Sequence, residues 1–190
     1  MQNRRLQILI EAAILAAAAM VLDLLPSIQL AAGISVSFAM VPVFIVALRW
    51  GWQAGIFSGF LWGVLQIVTG DATILHPIQA LVEYLLAFAM VGVAGFFASI
   101  IQEQLEQQRK KAVLVTVGIA IFVASFARYF WHFVAGYYFW GSYAPEGMSA
   151  IWYSFVVNGT TMILTFILCA IVLIALVSVS PRLIENKRRS

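Results

Sequence analysis

The sequence predicts an all-α integral membrane protein, a bundle of six transmembrane helices with both termini in the cytoplasm, forming one domain over residues 1–190. Three observations predict it. First, 63% of the residues are hydrophobic and only 10% are charged. A soluble domain carries roughly a quarter charged residues, so there is too little polar surface here to cover a water-soluble globule. Second, the apolar residues fall into six runs separated by short polar turns. Third, the basic residues mark every second turn.

A chain in lipid must satisfy its backbone internally, which favours helices. Helix 1 is expected at about 6–25, stopping before Pro26 because the residue ahead of a proline avoids helical geometry. Arg4 and Arg5 ahead of an alanine-rich run also permit a secretory signal peptide. An uncleaved first helix is preferred, since the later segments need partners. Helix 2 is expected at about 37–49, shorter than the usual ~20 residues. Helix 3 follows at about 52–69, helix 4 from just after Pro77 to about 101, helix 5 at about 112–139 and helix 6 at about 150–178.

Arg4 and Arg5 precede helix 1, Arg49 lies between helices 2 and 3, and Arg109, Lys110 and Lys111 lie between helices 4 and 5. Arg182, Lys187, Arg188 and Arg189 follow helix 6, and the connections 26–36, 70–77 and 140–149 carry no Lys or Arg. Ten of the eleven basic residues thus share one side, and Arg128 inside helix 5 is the exception. The net charge of +3 therefore reports membrane topology and not a nucleic-acid surface.

Two stripes of small residues stand out. Gly51, Gly55, Gly59 and Gly63 put glycines on one face of helix 3, where a neighbouring helix can come close. In helix 1, Ala12/Ala16 and Ala13/Ala17 form a flat face, for packing inside the bundle or for docking onto another membrane protein. Cys169, the single cysteine, lies in an apolar run and reads as a packed, inert thiol.

Ionisable groups at membrane depth mark function by default. Glu11 and Asp23 lie near the ends of helix 1, where each can reach an interface. Glu83 lies roughly 8 Å into helix 4, and His132 and Asn158 each lie roughly 12 Å down helices 5 and 6. Three helices thus send polar groups to one outer level. Purely structural pairings, Glu83 with Arg128 or His132 with a carbonyl, are the competing reading. The surrounding aromatics include Trp131, Tyr137, Trp140, Tyr143, Trp152 and Tyr153. Many belong to an interfacial belt. A carboxylate beside aromatic faces nevertheless suits a planar organic cation.

Other chemistries lack their residues. There is no Walker-type phosphate loop. His76 and His132 are the only histidines, so a metal site is not expected, and no Ser/His/Asp set suggests a nucleophilic enzyme. His76 beside Pro77 reads as a helix cap. No cofactor is expected.

The segment Ile74-Leu75-His76-Pro77-Ile78-Gln79, continuing to Glu83-Tyr84, resembles the start of the fourth helix in the thiamine-specific substrate-binding components of energy-coupling-factor vitamin transporters. His132, Trp140, Tyr153 and Asn158 recur at that family's pocket spacing, and the resemblance covers nearly the whole chain. It implies a bacterial cell-membrane protein without enzymatic activity that captures thiamine from outside. It implies a transmembrane coupling protein and two ATPase subunits as partners, and docking through Ala12, Ala13, Ala16 and Ala17. It implies Glu83, Tyr84, His132, Trp140, Tyr153 and Asn158 as ligand-binding residues. The family also implies an aromatic lid residue in the first outer loop, and 26–37 contains none. Tyr153 and Asn158 are five residues apart, about 140° around a helix, so both reach one cavity only at a frayed helix start or in a wide pocket. The alternatives are a component for another vitamin, with Arg128 meeting a carboxylate, and a membrane enzyme or carrier working alone.

Overall fold

The structure, a computed structural model, describes residues 2–25, 28–31 and 33–186. Pro26, Lys187, Arg188 and Arg189 lie outside the described residues, as does part of the first connection. The helical segments are α1 (Gln2–Asp23), α2 (Val41–Trp50), α3 (Trp52–Val68), α4 (Pro77–Glu106), α5 (Lys110–Phe139) and α6 (Ala150–Val179). Four of them, α1, α4, α5 and α6, are long and apolar enough to cross a membrane. Their outward residues are large and apolar, among them Ile14, Phe96, Phe126 and Ile171, as expected for surfaces that meet lipid.

Helix α2 begins later than expected. Residues before it form an antiparallel hairpin, β1 (Ile28–Ala31) and β2 (Ile34–Val36), where a plain connection is expected from the sequence. The alternation Ile-Gln-Leu and Ile-Ser-Val around Gly33, which has φ +80°, is the strand signal in the chain. Helix α2 itself is buried along most of its length, including Phe44, Val46 and Leu48. A helix apolar nearly all round belongs inside a bundle.

The glycine stripe of α3 packs internally, as its spacing suggested. Gly51, Gly55, Gly59 and Gly63 meet α4 at Gly95, Gly92, Phe88 and Tyr84 in turn, so the two helices run antiparallel. A Cβ on Gly59 would fall on the Phe88 carbonyl, and one on Gly92 on the backbone of Ile56. Helix α4 is irregular along this seam, with a π-helical stretch at Leu81–Leu86 and a 3-10 stretch at Val91–Phe97. Such departures from α geometry are common at functional sites, and the π stretch contains Glu83.

The two alanine pairs of α1 separate. Ala12 and Ala16 are fully buried, and the Ala12 carbonyl accepts a hydrogen bond from Ser58 Oγ of α3 at 2.9 Å. Ala13 and Ala17 are exposed. A face uniting all four residues for docking is therefore corrected: successive pairs lie about 100° apart on a helix, and one pair is already consumed by the bundle. Glu11 also has an internal role, pairing with Arg49 at 3.3 Å and accepting from Trp50 Nε1 at 2.7 Å. Cys169 is fully buried.

Candidate ligand-binding site

Helices α5 and α6 run antiparallel and approach closely at Gly136 and Ser154, near the turn that joins them. A cavity of about 230 Å³ opens there, lined by Glu83, His132, Trp140, Tyr153 and Asn158 together with Gly33, Gly136, Ser154 and Val157. Five of the six residues expected from the sequence to bind ligand thus meet in one place. Tyr84 is not among the lining residues. Its hydroxyl instead accepts from the Thr73 amide at 2.9 Å and fixes the connection ahead of α4.

Glu83 is only 8% exposed. Its Oε1 accepts from Trp140 Nε1 at 2.9 Å, and its Oε2 accepts from Gln79 Nε2. Gln79, one turn earlier and fully buried, is itself fixed by the Thr73 carbonyl at 3.1 Å and the Leu75 amide at 3.0 Å. His76 caps the start of α4, its Nδ1 accepting from the Ile78 amide at 3.1 Å, and stacks on Phe139 at the end of α5. The carboxylate is therefore aimed by neutral donors. Among the described residues it has no cationic partner, since the one ion pair there joins Arg49 to Glu11.

Arg128 does not pair with Glu83. Its guanidinium lies over the rings of Phe88 at 4.2 Å and Trp62 at 4.7 Å, and its Nε donates to His132 Nε2 at 3.3 Å. Arginine can only donate, so Nε2 of His132 carries the lone pair and Nδ1 carries the proton. On α6, Asn158 Nδ2 donates to the Ser154 carbonyl at 3.0 Å and to Ser154 Oγ at 3.2 Å, which leaves its Oδ1 free to accept. Ser154 Oγ donates in turn to the Phe133 carbonyl at 2.7 Å and ties α6 to α5.

The separation of Tyr153 and Asn158 is resolved by width. Tyr153, Ser154, Val157 and Asn158 form one broad strip on the first turns of α6, and the cavity spans it. Ser154, Val157, Gly136 and Gly33 were not foreseen. Gly136 lies one turn after His132 on α5, and helical spacing could have found it. A Cβ there would press on Ser154 and come within 3.0 Å of Asn158 Nδ2. The tip of the hairpin, at Gly33, had no such signal. Taken together, the cavity offers an unpaired carboxylate, an indole, a phenol, an amide acceptor and an imidazole. That set suits a small planar molecule with a positive charge and hydrogen-bonding edges.

Known proteins give this arrangement a context. Residues 9–185 match the model of the family described as thiamine transporter protein (Thia_YuaJ). The chain is 40% identical to the thiamine transporter ThiT of Bacillus subtilis (strain 168) over 189 residues, 98% of each chain. It is 33% identical to the thiamine transporter ThiT of Lacticaseibacillus paracasei over 189 residues, 98% of this chain and 94% of the other. Among solved structures, one of ThiT from Listeria monocytogenes superposes with a TM-score of 0.93 at 38% identity, covering 97% of this chain and 100% of that one. The chain therefore belongs to the thiamine transporter protein family (Thia_YuaJ), whose members are multi-pass transport proteins of the cell membrane and not enzymes.

Proposed function

We propose that this chain captures thiamine from outside the cell as the substrate-binding subunit of an energy-coupling-factor transporter. The observation that carries the reading is Glu83: a buried carboxylate, aimed by Gln79 and Trp140, without a cation beside it among the described residues. A buried charge is costly unless paired, and the thiazolium of thiamine is a planar cation that would pair with it. The names of the relatives in Bacillus subtilis and Lacticaseibacillus paracasei support the same ligand. Trp140 stacks on a ring, and His132, Tyr153 and Asn158 read the hydrogen-bonding edges. Tyr84 contributes indirectly, by fixing the connection at Thr73.

In this reading the six helical segments form six passes with both termini in the cytoplasm, supported by the alternation of basic residues. The sequence has no phosphate loop of its own, so ATP hydrolysis comes from two ATPase subunits acting through a transmembrane coupling protein. The exposed pair Ala13 and Ala17 is the part of α1 still open for that coupling protein.

The test is a titration of purified protein with thiamine, followed by tryptophan fluorescence. Glu83→Gln keeps the shape and removes the charge. A charge-assisted hydrogen bond contributes about 1.5–3 kcal/mol, so Kd should rise by about 10- to 150-fold. Unchanged affinity in Glu83→Gln would remove the anchor and the argument for a cationic ligand with it.

A further inference from the structure

A second hollow, of about 390 Å³, lies where the turn between α4 and α5 meets the end of α6. It is larger than the ligand cavity and belongs to the opposite end of the bundle. Lys110 on its rim is 22 residues before His132 on the same helix, which separates the two by about 33 Å. That matches the ~30 Å thickness of a bilayer's hydrocarbon core, so the hollow sits at the other membrane boundary.

Its lining has two chemistries. Arg109, Lys110 and Arg182 stand on the rim with Glu185, and Val113, Leu114 and Val177 form the floor. Among the described residues none of the three cations has a carboxylate within ion-pair distance, because the one ion pair joins Arg49 to Glu11. The rim therefore keeps an excess of positive charge. Gln104 also lines the hollow, and its buried Oε1 has no hydrogen-bond partner. Beyond the floor, the lipid-facing surface continues through Val115 and Val179, which are strongly exposed.

We propose that this hollow binds an anionic phospholipid. The phosphate sits among Arg109, Lys110 and Arg182, and an acyl chain lies along Val113, Leu114 and Val177. Basic pockets between helices at a membrane boundary recognise anionic headgroups in this way. A free phosphate would satisfy the rim equally well, but it would leave the apolar floor unused.

Native mass spectrometry of the intact protein in detergent tests this, with phosphatidylglycerol, phosphatidylcholine and inorganic phosphate as probes. Phosphatidylglycerol should be retained in preference to phosphatidylcholine, and millimolar inorganic phosphate should fail to displace it. Each cation near a headgroup is worth about fivefold in affinity. Replacing all three, in Arg109→Gln/Lys110→Gln/Arg182→Gln, should therefore weaken phosphatidylglycerol binding by about a hundredfold. Ser178→Trp fills the hollow without touching the charges and should also abolish retention. Gel filtration and thermal unfolding establish that both variants are folded. Equal retention of the two lipids, displacement by inorganic phosphate, or undiminished phosphatidylglycerol binding in the folded variants would each overturn the proposal.

Discussion

The seam between α3 and α4 and the contact between α5 and α6 beside the cavity use glycine differently. Along α3–α4, a side chain added at Gly59, Gly63, Gly92 or Gly95 would meet backbone atoms of the facing helix. The missing side chains let two main chains touch, and no room is left for a ligand. On α5, the atoms nearest a side chain added at Gly136 belong to the side chains of Ser154 and Asn158. There the Ser154 hydroxyl takes the place of the missing side chain, and the cavity lies beside it. Small-residue contact in a membrane can therefore build either a rigid wall or a seat for the polar groups that line a site. What decides is whether backbone or polar side chains stand opposite.

The largest expected effect falls on the wall. Gly92→Val would drive a branched side chain into the Gly55–Ile56 backbone, where nothing flexible can yield. Overpacking costs about 1–3 kcal/mol and occasionally more, and a backbone obstacle belongs at the upper end. The variant should lose most of its folded yield, as read by gel filtration and thermal unfolding. If it purifies with the parent's melting behaviour, the two helices are not in backbone contact.

Gly136→Ala should separate binding from folding. The added Cβ would collide with Ser154 Oγ, so that hydroxyl must swing away and give up its bond to the Phe133 carbonyl, which should lower stability by about 1 kcal/mol. Thiamine binding should weaken by about tenfold, because the shifted groups line the cavity. Equal losses in both measurements would mean that this region is also a wall.

Arg128→Met tests the joint between the two regions, since Arg128 lies against Trp62 of α3 and Phe88 of α4 and holds His132 of α5. Removing the donor frees the His132 tautomer. The bond is donated by a charged guanidinium and contributes about 1.5–3 kcal/mol to the order of His132, only part of which reaches the ligand, so titration calorimetry should show a loss of about fivefold in thiamine affinity. A tenfold gain would indicate that Arg128 repels the cationic ligand more than it orients His132.

The smallest effect on the isolated protein is expected at Ala13→Trp and Ala17→Trp, which lie on the exposed face of α1. Binding and melting should match the parent, while co-purification with a coupling protein should fail. Ala16→Trp, buried against the bundle, should instead unfold the protein. Normal assembly of both exposed variants would place docking on another surface.

Much of this was legible in the chain. The apolar runs predict helices and helices form there, four of them long and apolar enough to cross a membrane, because in lipid the backbone has almost no alternative to the helix. The glycine spacing of α3 foretold a close partner. Glu83, His132 and Asn158 could be singled out because polar groups at membrane depth are rare and costly, whereas Trp140 and Tyr153 were marked only by the family resemblance. The hairpin was missed because seven short-strand residues carry little signal beside such long apolar runs. Tyr84 was misplaced because adjacency to Glu83 says nothing about direction. The side chain one residue on turns by about 100° in a regular helix, and here the stretch is π-helical.

By itself the sequence determined the solvent of this protein, its helical class, the residues too polar to lie in lipid without purpose and the family to which they point. These follow from composition and from spacing along one helix, which are local properties. Only the tertiary structure decided which alanine pair is buried, that Gln79 and Trp140 share Glu83 between them, and that Arg128 serves His132 instead of the carboxylate. Those outcomes depend on how far apart neighbouring helices stand and how each is rotated. Both are set by packing between segments distant in the chain, where small residues, bulk and hydrogen bonds from several helices are satisfied together.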